Sequence, residues 1–195
     1  MRDADRKLAS AVVMVAWAVA GCAVASALIA SGQASVARPT AEAEDARGPD
    51  AVRQAADILQ RESQCLAQVI YYEARSESEA GQRAVAEVVL NRVNSPAYPK
   101  SICGVVYQGS ERDTGCQFSF TCDGSMKAAV QPLAWSKAVR LAQTLVLGYH
   151  GDTLVGTATH YHADYVAPEW GTELRKTKQI GRHIFYSDNK VADRG

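Results

Sequence analysis

Between Ser63 and Val93 two helical patterns meet at a carboxylate, and this junction constrains the fold more than any other stretch. Leu66, Val69, Ile70 and Ala74 recur at helical spacing, which predicts a first helix over about Ser63–Arg75. Ser76-Glu77-Ser78-Glu79 matches a capping box and predicts a second helix from about Glu79 to Val93. Its inward face would carry Ala80, Ala84, Val85, Val88, Val89 and Arg92, and Pro96 and Pro99 lie beyond its end. Glu73 closes the first apolar run, directly after Tyr71 and Tyr72. Burying a carboxyl beside aromatic rings raises its pKa and suits it to general acid catalysis near neutral pH. The plainer alternative is a structural acid paired with Arg75 or Arg92.

Downstream, Ser101–Tyr107 reads as a short helical turn and Gly109–Asp123 as a loop carrying Gln117-Phe118-Ser119-Phe120. Pro132 suits the first position of a helix, here about Leu133–Leu147, burying Trp135, Ala138, Leu141, Ala142 and Leu145 and stopping at Gly148. Thr157–His162 alternates as an extended segment does, and Ile184–Tyr186 reads as a final short strand. The fold class is α+β: a mostly helical body with a small β-loop region over one face.

The organisation along the chain is uneven. Arg2, Arg6 and Lys7 precede an apolar run from Leu8 to Ala30, long enough to span a bilayer as a helix. Residues 1–31 are therefore expected to be an N-terminal signal-anchor, with the N-terminus cytoplasmic. Cleavage after Ser35-Val36-Ala37, or lipidation of Cys22, are the alternatives. Residues 32–60 are rich in small and charged residues and are expected to form a flexible linker. Residues 61–188 form the expected catalytic domain, and 189–195 a tail. That domain and tail carry 15 basic and 14 acidic residues, which leaves no electrostatic footprint for nucleic acid. Cys65, Cys103, Cys116 and Cys122 are four cysteines in an exported domain, so disulfides are expected. Cys116 and Cys122 are the natural local pair, which leaves Cys65 with Cys103.

A second chemical cluster is Thr159-His160-Tyr161-His162. Two His at period two share a face of a strand, and with His183 they would offer three nitrogens to zinc, as in a metallo-amidase. The same residues serve equally as the rim of a binding site. Tyr161 and Trp170 offer flat apolar faces of the kind that sugars stack on.

The motifs together resemble one family. Glu73-Ala74-Arg75-Ser76-Glu77, Gly81-Gln82, the run Ala84 to Val93 ending in Asn91-Arg92-Val93, Tyr98-Pro99, Gly104-Val105-Val106-Tyr107-Gln108, Phe118-Ser119, Cys122-Asp123-Gly124 and Ile180 to Tyr186 are similar to the SleB/CwlJ cell-wall hydrolases, in order, over roughly residues 64–187. The resemblance implies a lysozyme-like catalytic core acting on peptidoglycan, with a single catalytic Glu at the first acid of the Glu-Ala-Arg motif, here Glu73. Two departures stand out. Ser76 replaces the usual Gly of that motif, and Thr159–His162 replaces an aromatic-rich segment.

The resemblance further implies a lytic transglycosylase, which needs no cofactor and no metal. The expected partners are peptidoglycan glycan strands and, through the N-terminal helix, the membrane, with a monomeric domain on the extracytoplasmic side. Gln82, Asn91, Ser119, Tyr161 and His162 are the candidates for holding sugar and acyl groups. Phe118, Trp170 and His183 are candidates for shaping the cleft, and Glu77 for orienting a loop beside it. A zinc amidase and a non-catalytic peptidoglycan-binding module are the other two readings.

Overall fold

The computed structural model describes residues 41–148 and 152–188. The apolar run Leu8–Ala30 and the tail 189–195 lie outside them. Among the described residues no helix is long and apolar enough to cross a membrane.

Helix α1 runs from Ala41 to Ala74. Its second half is the axis of the core: Leu66, Ala67, Val69 and Ile70 are fully buried. Burying one such aliphatic side chain contributes about 1.5–3 kcal/mol. The helix reaches well back into the stretch 32–60 read from composition as a flexible linker. Residues 48–60 are helical yet exposed. Ala, Glu, Arg and Gln are strong helix formers, so this stretch needs no apolar face to continue the helix of residues 61–74 backwards.

Helix α2, Glu79–Asn94, follows after a four-residue turn. Its N-cap is Ser78, whose hydroxyl accepts from the Gly81 N–H at 3.2 Å. The expected capping box placed the cap at Ser76, two residues early. Ala84, Val85, Val88 and Val89 of α2 pack on α1. A short helix α3, Ile102–Val106, is capped by Ser101 and adds Ile102, Val105 and Val106 to the core. Helix α4, Pro132–Val146, starts with its proline in the first turn, as the sequence predicts. It lays Ala138, Ala142 and Leu145 against α1, while Trp135 and Leu141 are only partly buried. The Gln131 N–H donates to the Tyr71 hydroxyl at 2.8 Å, fixing the start of α4 to the end of α1.

Three short strands form one antiparallel sheet in the order β1-β3-β2: β1 is His160–Ala163, β2 is Arg175–Ile180 and β3 is His183–Ser187. Strand β2 is not among the elements that the sequence pattern predicts. Its Arg-Lys-Thr-Lys-Gln-Ile composition carries no apolar alternation because it is an exposed edge strand, with an irregularity in register between Lys176 and Lys178. Lysines and bulges protect such edges from pairing with another chain. The α+β class is as expected, a mostly helical body with a small sheet.

Both expected disulfides are present. Cys65–Cys103 joins α1 to α3, with Cα atoms 5.2 Å apart. Cys116–Cys122 brackets the aromatic Phe118–Phe120 segment, with Cα atoms 6.5 Å apart.

Candidate active site

Helix α2 positions the sheet through main-chain contacts. Along one stripe, the Arg83 guanidinium donates to the Asp152 carbonyl at 2.8 Å. The Glu87 carboxylate accepts from the Leu154 and Val155 N–H groups at 2.8 and 3.2 Å. The Asn91 amide donates to the Gly156 and Ala158 carbonyls, both at 2.8 Å. Arg92 Nε donates to the Thr159 carbonyl at 2.7 Å. Six carbonyl and amide partners in a row fix the path of residues 152–159, and with it the point where β1 begins.

Strand β1 then brings Tyr161 onto Glu73. The Tyr161 hydroxyl donates to Glu73 Oε2 at 3.3 Å. Glu73, on the last turn of α1, is half-buried at the junction of two depressions. One, of about 360 Å³, is lined by Arg92, Gln117, Phe118, Ser119, His160, Tyr161 and Trp170. The other, of about 430 Å³, includes Tyr71, Tyr72, Arg75, Asp123 and Gln131. Ser119 lines both and stands on the rim beside Glu73.

Burial pushes the Glu73 carboxyl above the usual carboxylate range, and the nearby Asp123 charge pushes the same way. The Tyr161 hydrogen bond and the Arg92 cation pull it back without cancelling the rise. Tyr161 itself is held well above its ordinary value by burial and by Glu73. It therefore remains a neutral donor. Asp123 is exposed, and hydrogen bonds from Ser125 hold its carboxyl below the ordinary value.

The aromatic candidates divide between the two faces of the sheet. Trp170 stands beside His160, His162 and Tyr186, with ring centroids 5.4, 5.7 and 5.5 Å away. His162 is committed inside the fold: Nδ1 lies 2.8 Å from the Ala163 carbonyl and Nε2 lies 2.9 Å from the Tyr186 hydroxyl. Donation from Nδ1 makes Nε2 the acceptor. The register pairs His160 with Tyr186 and His162 with Ile184, while Ala163 pairs with His183. Residues opposite each other share a face, and neighbours along a strand alternate. His183 thus lies on the face of Tyr161 and Phe185, opposite to His160 and His162. The three-histidine zinc arrangement raised by the sequence is not formed.

Other candidates serve the scaffold. The Gln82 side chain donates to the Glu77 carbonyl at 3.2 Å and braces the α1–α2 turn, away from both depressions at Glu73. Asn91 spends its amide on the loop before β1. Glu77 and His183 are nearly buried side by side, 3.9 Å apart. The Glu77 carboxylate also accepts from the Arg182 N–H at 3.4 Å and packs against Gly181 in the β2–β3 turn. His183 meets Tyr161 edge to face at 5.2 Å. Burial holds the His183 pKa below its ordinary value. Phe118 is buried beneath the Arg92 guanidinium. Arg92, which the sequence offers as a partner for Glu73, and His160, which it offers to zinc, both line the depression at Glu73, and Asp123, to which it assigns no role, lines the other. Arg92 and Asp123 both lie inside the quoted motifs.

The sequence family described as Cell Wall Hydrolase matches residues 76–186, more than half the chain. The chain belongs to this cell wall hydrolase family. Among relatives of this cell wall hydrolase is the spore cortex-lytic enzyme of Halalkalibacterium halodurans, 30% identical over 148 residues, which are 75% of this chain and 41% of that one. The chain thus spans about two fifths of the length of that relative. The catalytic domain of the Bacillus cereus SleB protein is similar in structure, with a TM-score of 0.50 and 32% identity, over 66% of this chain and 91% of that one. The catalytic domain of the germination-specific lytic transglycosylase SleB from Bacillus anthracis gives a TM-score of 0.50 and 31% identity, over 65% and 93%.

Proposed function

We propose that this cell wall hydrolase cleaves the glycosidic bond between N-acetylmuramic acid and N-acetylglucosamine in peptidoglycan, as a lytic transglycosylase with Glu73 as its one catalytic carboxyl. The observation that carries the reading is the place of Glu73: half-buried, held by Tyr161, with its pKa raised, where two depressions meet. A glycan strand lying across both depressions would place its scissile bond at Glu73.

Burial favours the protonated form of Glu73, the form a general acid needs. Glu73 donates that proton to the oxygen leaving with N-acetylglucosamine, and an oxocarbenium-like centre develops at C1 of the muramyl sugar. The ionised Glu73 then takes the proton of the C6 hydroxyl as O6 closes on C1. The products are a free 4-hydroxyl and a 1,6-anhydro ring, and Glu73 is again protonated. No water is consumed. Trp170 and Tyr161 line the depression on one side of Glu73, where a sugar would lie, and Ser119 offers a hydroxyl at the rim.

Asp123 supports a second reading, because it is another carboxylate beside Glu73 and would be the nucleophile or base of a hydrolase. Asp123→Asn separates the two: a transglycosylase retains turnover, and a hydrolase that depends on Asp123 loses it. Delivery to the wall follows from the apolar run Leu8–Ala30, which we propose anchors a monomeric domain on the extracytoplasmic face of the membrane.

A further inference from the structure

Arg92 is a cation the mechanism above does not use. Its residue exposure is 4%, and it lines the depression that contains Glu73. The guanidinium lies over the rings of Tyr98 and Phe118, 5.5 Å from each centroid. Nε is spent on the Thr159 carbonyl, while Nη1 is buried with no hydrogen-bond partner. Among the described residues Arg92 forms no ion pair. A buried cation without an anion is costly, and proteins keep one chiefly where an anion arrives or develops.

We infer that Arg92 is the positioning residue for the charge on Glu73: its buried guanidinium stabilises the carboxylate that Glu73 becomes after giving its proton to the leaving sugar. The inference rests on Glu73 being the general acid. It needs no direct contact between Arg92 and substrate. While Glu73 holds its proton, it offers Arg92 no countercharge. Once the proton has left, a carboxylate stands beside a cation that the fold holds in place through Thr159, Tyr98 and Phe118. The developing positive centre on the sugar and Arg92 then flank one negative charge. Arg92 accordingly acts on the Glu73 carboxyl in the direction that favours its ionised form, against burial.

Other groups act on the same carboxyl. Tyr161 bonds it from β1 and His160 lines the same depression, while Asp123 in the loop beyond Phe118 and Tyr72 and Arg75 of α1 line the other. Arg92 is the buried cation in this set, so its influence is the one least screened by salt.

The test is the pH dependence of muropeptide release by the full chain, with the Glu73 carboxyl followed by carbon NMR in the same variants. Arg92→Gln keeps a donor for the Thr159 carbonyl and removes the charge. It is expected to move the alkaline limb and the Glu73 titration up by about one pH unit, because an opposite charge is lost. Its kcat should fall about tenfold or more with little change in KM. Arg92→Lys keeps a charge, and its limb should stay within about 0.3 unit of wild type. Arg92→Met repeats the neutral test if Gln does not fold there. Asn91→Ala loosens the same loop without touching charge and should leave the limb in place. A limb and titration unmoved in the neutral variants would overturn the proposal and leave Arg92 a clamp on Thr159. Activity surviving in Glu73→Gln would instead strike the underlying reading, by a separate measurement.

Discussion

The Tyr161 hydroxyl donates to Glu73 Oε2 across 3.3 Å, joining the last turn of α1 to the first strand of the sheet, 88 residues later in the chain. This contact makes the acid strength of Glu73 depend on the sheet. A donor to the carboxylate favours the ionised form and opposes the rise that burial produces. The general acid works when protonated, so activity is lost as pH rises through the Glu73 pKa. Tyr161→Phe removes the donor, and its alkaline limb should lie above that of wild type. Asp123→Asn removes a neighbouring negative charge, and its limb should lie below, by an amount that shrinks as salt is added because Asp123 is exposed. A pH–rate profile for each variant checks the signs, and shifts in the same direction would contradict this electrostatic account.

Helix α2 was legible because its apolar positions repeat at helical spacing between a Ser-rich start and two prolines. The acid was legible as a carboxyl beside two tyrosines. The clamp from Arg83, Glu87, Asn91 and Arg92 was not, because its partners are carbonyl and amide groups about 70 positions away that leave no residue pattern. Strand β2 escaped because an exposed edge strand looks like a charged loop. The His160–His162–His183 cluster was misleading for a related reason: the face on which each ring lies depends on the β1–β3 register, which no local spacing encodes.

The β2–β3 turn gives a stability prediction. Gly181 has φ of 55°, in the left-handed region, and a Cβ there would strike the Glu77 carboxyl. Gly181→Ala should cost about 1–3 kcal/mol in urea unfolding. Unchanged stability would show that Glu77 does not hold this turn.

The two disulfides should fail differently. Cys65–Cys103 closes a long stretch between α1 and α3, and replacing both cysteines with serine should cost about 2–4 kcal/mol. Cys116–Cys122 spans six positions around Phe118 and Ser119 at the rim. Its removal should lower muropeptide release by more than it lowers the melting temperature. Equal losses in both assays for both pairs would contradict that division.

Chelation addresses the metal reading. With His183 on the opposite face from His160 and His162, muropeptide release should survive phenanthroline. Loss of activity restored by stoichiometric zinc would return the amidase reading.

The most direct measurement is mass spectrometry of the products released from purified sacculi by the wild-type protein and by Glu73→Gln. The wild type should release muropeptides one water lighter than the reducing form, with the peptide stem attached. Release by Glu73→Gln should be lower by about 100-fold or more. Reducing sugars or free stem peptides from the wild type, or near-normal release by Glu73→Gln, would contradict the proposed mechanism.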